Sequence, residues 1–150
     1  MGLNQKKGNE DTTKRIIALW KLHDRMWAEF LLVVNKADSV GASVSIEWSH
    51  RCSYHRLVKT RKLVQKLQMV YRKVPGCSVG LVSCNRATEG KPLCKAWGIW
   101  INNHVLADSL PSLVCDGSHD CIAVQGVDTE HSGCYTDRFA KILMFISCSS

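Results

Sequence analysis

The chain has 150 residues, is 45 % hydrophobic and 22 % charged, and carries a net charge of +7. That length favours one domain with a sizeable core, and that composition excludes a chain disordered throughout. No apolar run is long enough and free enough of charge to span a bilayer, because Lys21, Asp24, Arg25 and Glu29 interrupt the stretch from Ile16 to Val34.

Residues 1–10 read as a flexible polar tail and residues 11–150 as a single domain. Residues 2–14 are polar and charged, so no secretory leader is expected. The expected location is the cytoplasm or nucleus, with no membrane partner. A helix should start at Asp11–Thr13, each a competent cap, and run to about Asn35. Ile16, Leu19, Trp20, His23, Trp27, Phe30, Leu31 and Val34 follow helical spacing, and that stripe reads as scaffold. Ala42–Trp48 alternates apolar and polar residues as a half-buried strand does.

A second, basic amphipathic helix is expected from Arg56 to Lys73, stopped by Pro75–Gly76. Beyond it, Ser78–Ser83, Cys94–Asn102, Ser112–Cys115 and Cys121–Val127 are short, rich in Val and Ile, and read as strands. Ala140–Ile146 fits either a buried strand or a closing helix. The predicted fold class is α+β: a mainly antiparallel sheet covered by the long N-terminal helix and the basic helix.

Charge is distributed unevenly. Between Glu47 and Glu89 there is no acidic residue, while Arg51, Arg56, Lys59, Arg61, Lys62, Lys66, Arg72, Lys73 and Arg86 place nine positive charges there. The rest of the chain therefore sums to −2. A local basic field attracts phosphates and other polyanions. Arg51, Arg56, Lys59, Arg61, Lys62, Lys66, Arg72 and Lys73 are the candidate nucleic-acid contacts. RNA is favoured over DNA, because a sheet beside a basic helix is an RNA-binding arrangement and no helix-turn-helix or finger pattern is present. The alternative is a protein-interaction module, zinc-stabilised, that docks an acidic partner.

Eight cysteines without a leader should stay reduced and act mostly as small buried hydrophobes. Two clusters have the residue types of a metal site, and zinc is the cofactor they would take. His50-x-Cys52-x2-His55 holds three zinc-competent side chains, with Cys77 or Cys84 as a distant fourth. Cys115, His119, Cys121, His131 and Cys134 offer five within two polar turns, the stronger set. In that set Cys115, Cys121, His131 and Cys134 are the expected ligands, with His119 competing. A cysteine-dependent hydrolase ranks third. No Cys occupies a Gly-rich elbow, so no catalytic residue is assigned and the balance is against an enzyme.

Overall fold

The computed structural model describes residues 10–148, with side chains described over 12–144. The tail expected over 1–10 lies outside these apart from Glu10, the first residue of a helix. The chain divides into two compact units, Met1–Ala42 and Ser43–Ser150.

Within the first unit the described residues form one helix, α1, Glu10–Ser39, longer at its C-terminal end than predicted. Its rings contact each other along the stripe: Trp20 meets His23 edge-on at 5.4 Å, and Trp27 lies 5.4 Å from Phe30. Leu19, assigned to that stripe, is exposed, as are Met26 and Val33 outside it. No described helix is long and apolar enough to cross a membrane.

The second unit is α+β. Strands β1 (Ser45–Ser49), β2 (Val70–Pro75) and β3 (Ala96–Ile101) form an antiparallel sheet in the order β1-β3-β2. Five further helical pieces of note accompany it: α2 (Val58–Lys66), α3 (His104–Ser109), α4 (Val127–His131), α5 (Asp137–Cys148) and a 3-10 turn at Gly76–Val79.

Register decides what each sheet face does. Ile99 pairs with Glu47 and Arg72, and Ile101 with Ser45 and Val70, so these share one face with Trp97 and Val74. That face builds the core, where Trp97, Ile99, Ile101 and Val74 are buried with Leu106, Ala107, Leu110 and Phe139. The opposite face presents Ile46, Trp48, Tyr71, Lys73, Gly98 and Trp100. Here Trp48, Tyr54, His55, Tyr71 and Trp100 form a continuous ring cluster, with centroid separations from 4.9 to 6.5 Å. Gly98 makes room for it, since a Cβ there would stand 3.0 Å from His55 Nε2.

The predicted basic helix Arg56–Lys73 is a correction. It ends at Lys66, and Val70–Pro75 is an edge strand. The chain stops the helix with a Schellman closure: Met69 N–H donates to Val64 O at 2.9 Å and Gln68 N–H to Gln65 O at 3.2 Å. Gln68 sits there at φ +51°, the left-handed region glycine favours. No Gly or Pro marks the stop, which is why periodicity reads through it. Gln68→Gly should therefore stabilise the domain by about 0.5–1 kcal/mol, measured by urea unfolding. A destabilised variant would show that the Gln side chain contributes more than its backbone costs.

The predicted strands after Pro75 fare unevenly. Cys94–Asn102 contains β3. Only Ser78 and Val79 of Ser78–Ser83 lie in the 3-10 turn, with a lone bridge from Val82 to Pro92 beyond it. Cys121–Val127 is loop up to the start of α4 at Val127, with a lone bridge from Ile122 to Leu93. Ser112–Cys115 has no strand, and Ala140–Ile146 lies within α5. Of the seven described cysteines none is buried, against the expectation of core thiols: Cys84, Cys94, Cys115 and Cys134 are exposed and Cys52, Cys77 and Cys121 half-buried.

One buried carboxylate ties these irregular segments together. Asp128 in α4 is 2 % exposed and accepts from Ser83 Oγ at 2.8 Å and Cys84 N–H at 2.9 Å. Burial alone would raise its carboxyl, but the hydrogen bonds from Ser83 and Cys84 outweigh it and hold the group below its ordinary value. A depressed carboxyl stabilises the fold above the unfolded pKa near 3.9 and loses that contribution as pH falls through the lower folded value. Asp128→Asn turns an amide toward those donors. It should lower the melting temperature at pH 7 by several degrees, with the gap to the parent closing towards pH 3. Melts of both proteins at each pH measure it, and a gap that stays constant would remove the charge from the explanation.

Candidate metal centre and the basic residues

The long irregular stretch between the turn at Leu110–Ser112 and α4 holds Cys115, His119 and Cys121. Compact domains tolerate a loop of that length mainly when something functional or covalent fixes it. Two features fold it locally. Asp116 accepts from Ser118 N–H at 3.0 Å and Ser118 Oγ at 2.7 Å, closing a turn around Gly117 at φ +72°. Ile122 then exchanges backbone hydrogen bonds with the segment before β3, donating to Pro92 O at 2.9 Å and accepting from Cys94 N–H at 2.7 Å. These carry His119 and Cys121 toward the end of β2.

Cys77 waits there. Its neighbour Gly76 donates to Lys95 O at 2.7 Å and accepts from Leu81 N–H at 2.9 Å. A Cβ on Gly76 would lie 2.7 Å from Leu81 Cδ2, so glycine is required for this approach. The result is a Cys3His group: the ligand atoms of Cys77, Cys115, His119 and Cys121 all lie within 4.8 Å of one another.

One edge of the group has the length expected in a tetrahedral zinc site. Zinc–sulfur bonds near 2.3 Å and zinc–nitrogen bonds near 2.05 Å imply ligand edges of about 3.6–3.8 Å. Cys115 Sγ stands 3.7 Å from His119 Nε2. The other imidazole nitrogen, Nδ1, faces Asp116 Oδ1 at 3.7 Å. A carboxylate behind a histidine is what orients a metal-bound imidazole and raises its basicity. Ser118 in turn holds the Asp116 carboxyl below the ordinary range, so it stays ionised.

Without a cation the Cys77 and Cys121 thiols keep their protons. Burial, then the adjacent Cys115 and Cys121, push the Cys77 thiol up to about 12, and burial raises Cys121 as well. A divalent ion reverses this, because thiolates bind it and release their protons. An odd number of thiols beside one imidazole also fits a metal better than a disulfide, which would strand one sulfur.

The sequence-predicted ligands divide. Cys115, His119 and Cys121 come together, while His131 lies exposed in the last turn of α4 and Cys134 is exposed just beyond it, and neither belongs to the group. Cys77 and the carboxylate of Asp116 are the functional residues that sequence reasoning did not assign to this site. The first cluster is otherwise engaged. His55 accepts from Trp100 Nε1 at Nδ1 (3.1 Å) and pairs with Ser49 O through Nε2 (3.0 Å), and His50 Nδ1 is hydrogen-bonded to the Tyr71 hydroxyl at 2.6 Å. A metal would have to displace these bonds.

A thiol nucleophile finds no support at Cys84, whose pKa burial and the Asp128 carboxylate both raise. The basic candidates occupy different elements. Arg56 closes a 3-10 turn, Ser53–Arg56; Lys59, Arg61, Lys62 and Lys66 lie on α2; Arg72 and Lys73 are on β2. Arg56, Arg61, Lys62, Lys66 and Lys73 are exposed, as is Arg51 in the turn after β1. Arg72 is drawn inward, donating from Nε to Ala107 O at 2.7 Å and pairing with Asp108 at 3.4 Å.

Compared with known proteins, the chain matches no family model, no curated protein and no solved structure.

Proposed function

We propose that residues 43–150 form a zinc-stabilised nucleic-acid-binding module with RNA as the favoured ligand. The observation that carries the zinc assignment is the Cys3His group backed by Asp116. Soft sulfur donors with one imidazole select zinc among the common divalent ions. Four protein ligands leave no open position, so the metal is structural and not catalytic. Its work is to tie the exposed loop bearing Cys115, His119 and Cys121 to the turn that ends β2. The nucleic-acid part rests on a separate observation, the acid-free segment that exposes Arg51, Arg56, Arg61, Lys62, Lys66 and Lys73. The same charges would draw an acidic protein, which competition with polyglutamate separates from oligonucleotide binding.

Metal analysis tests the first part directly. Protein purified at neutral pH without added chelator should carry about one equivalent of zinc, and chelation should lower its melting temperature sharply, since metal binding is coupled to folding. Less than about a tenth of an equivalent, with an unchanged melt, sinks the zinc assignment.

A further inference from the structure

One groove of about 790 Å³ adjoins the metal centre, and Cys77, Cys115 and Cys121 lie among its lining residues. Also lining it are His50, Arg51, Lys73 and Lys95, and no acidic side chain does. Its volume falls in the range of about 300–1,000 Å³ typical of ligand sites. The groove has an apolar part as well, including Leu93 and Val124.

The charges are not equivalent. Lys95 is anchored: its Nζ donates to Ser132 O and stands 5.9 Å from the Trp97 ring centre. Among the described contacts the side chains of Arg51 and Lys73 make no hydrogen bond or ion pair, and both residues are exposed. His50 feels them, since burial and then Lys73, His55 and Arg51 lower its pKa. A zinc ion held by three thiolates and one imidazole carries a net charge of −1, against the three fixed positive charges of Arg51, Lys73 and Lys95. The loaded groove therefore remains cationic.

We propose that this groove binds single-stranded nucleic acid, with Arg51 and Lys73 on the phosphates and unpaired bases against the aromatic sheet face beside them. Lys73 pairs with Gly98 of β3, which pairs with Trp48 of β1, so the groove's lysine shares a sheet face with Trp48, Tyr71 and Trp100. Cations flanking rings on a sheet face suit unpaired bases, which stack on aromatics; an acidic peptide has no use for the rings. Ordinary duplex would present its charges but not its base faces. This inference rests on the nucleic-acid reading above and assigns it a place other than α2.

Fluorescence anisotropy of the zinc-loaded full chain with a labelled ten-nucleotide oligouridylate tests it, in parallel with the matching single-stranded DNA, duplex, abasic oligomer and polyglutamate. Arg51→Ala/Lys73→Ala should weaken oligouridylate binding about tenfold or more at low salt. It should flatten the plot of log affinity against log salt by about 1.4 units, while zinc content and melting temperature stay at parent values. Lys62→Ala/Lys66→Ala on α2 should weaken binding less than threefold, and the abasic oligomer should bind at least about fivefold more weakly than oligouridylate. RNA and single-stranded DNA binding alike supports the groove, and RNA binding alone narrows it to RNA. If the α2 variant loses binding and the groove variant does not, the groove assignment falls and the wider nucleic-acid reading survives. Polyglutamate or abasic chain bound as tightly as oligouridylate overturns the assignment to unpaired bases. No binding of any oligonucleotide by the parent overturns both.

Discussion

Cys77→Ala should strip zinc from the purified protein and lower its melting temperature far more than the loss of one half-buried sulfur explains. Structural zinc in small domains is bound with an apparent free energy of about 10–16 kcal/mol, and much of that is folding free energy. Removing one of four ligands would leave an open position on an ion that the full set would hold by closure. Even a partner that only orients a ligand is typically worth about 10–100-fold in affinity, so Asp116→Asn, which keeps the Cys3His set, should fall in that range. Cys134→Ala is the control with the sharpest contrast. Cys134 is exposed, follows α4 and lies outside the four-residue group, so its variant should keep a full equivalent of zinc. Metal analysis of the three variants, with competition by a chelator of known affinity, reads the order directly. Equal zinc loss in the Cys77 and Cys134 variants would move the site, and full zinc in the Cys77 variant would end the Cys3His assignment.

Three of the four ligands of that group were legible in the chain and the fourth was not, for a physical reason. Cys115, His119 and Cys121 are close in sequence, so turn residues around them suffice to signal a ligand-bearing loop. Cys77 belongs to a different element and reaches the loop only because Gly76 packs on Leu81 and the Lys95 backbone, a contact no local pattern announces. The same distinction runs through the fold. Helix α1 announces itself by its stripe, and β3 by a run that buries Trp97, Ile99 and Ile101. The boundary of α2 does not, because Gln68 adopts a glycine-like conformation and because Leu63, Leu67, Val70 and Val74 keep helical spacing by coincidence. Val114, Ile122 and Val124 look like strand residues, yet only Ile122 forms a bridge, and tertiary anchors such as Asp128 do the rest. The charge excess was visible from composition alone. Its division between α2, β2 and the groove was not, since that depends on where the helix stops.

Trp97→Ala should be the most destabilising single substitution in the sheet. Trp97 is 1 % exposed on the central strand, where it stacks on Phe139 of α5 with ring centres 5.3 Å apart and planes 15° apart. Tyr135 closes the cluster edge-on against both rings, 5.7 Å from Trp97 and 5.2 Å from Phe139. The indole is therefore what joins the sheet to α5, and its removal leaves a cavity that β3, paired on both sides, cannot move to fill. Large aromatic truncations in such sites cost about 3–5 kcal/mol, a large share of the roughly 5–15 kcal/mol that holds a domain together. Trp48→Ala makes the comparison on the opposite face. That ring is half-buried and packs on Tyr54 and His55, so its loss should cost less than half as much. Urea unfolding of both variants in the zinc-loaded state measures the difference, and an unchanged zinc content under native conditions separates packing loss from metal loss. A cost below about 1 kcal/mol for Trp97→Ala, or a larger one for Trp48→Ala, would mean that the domain is organised around its aromatic face and not around the contact between β3 and α5.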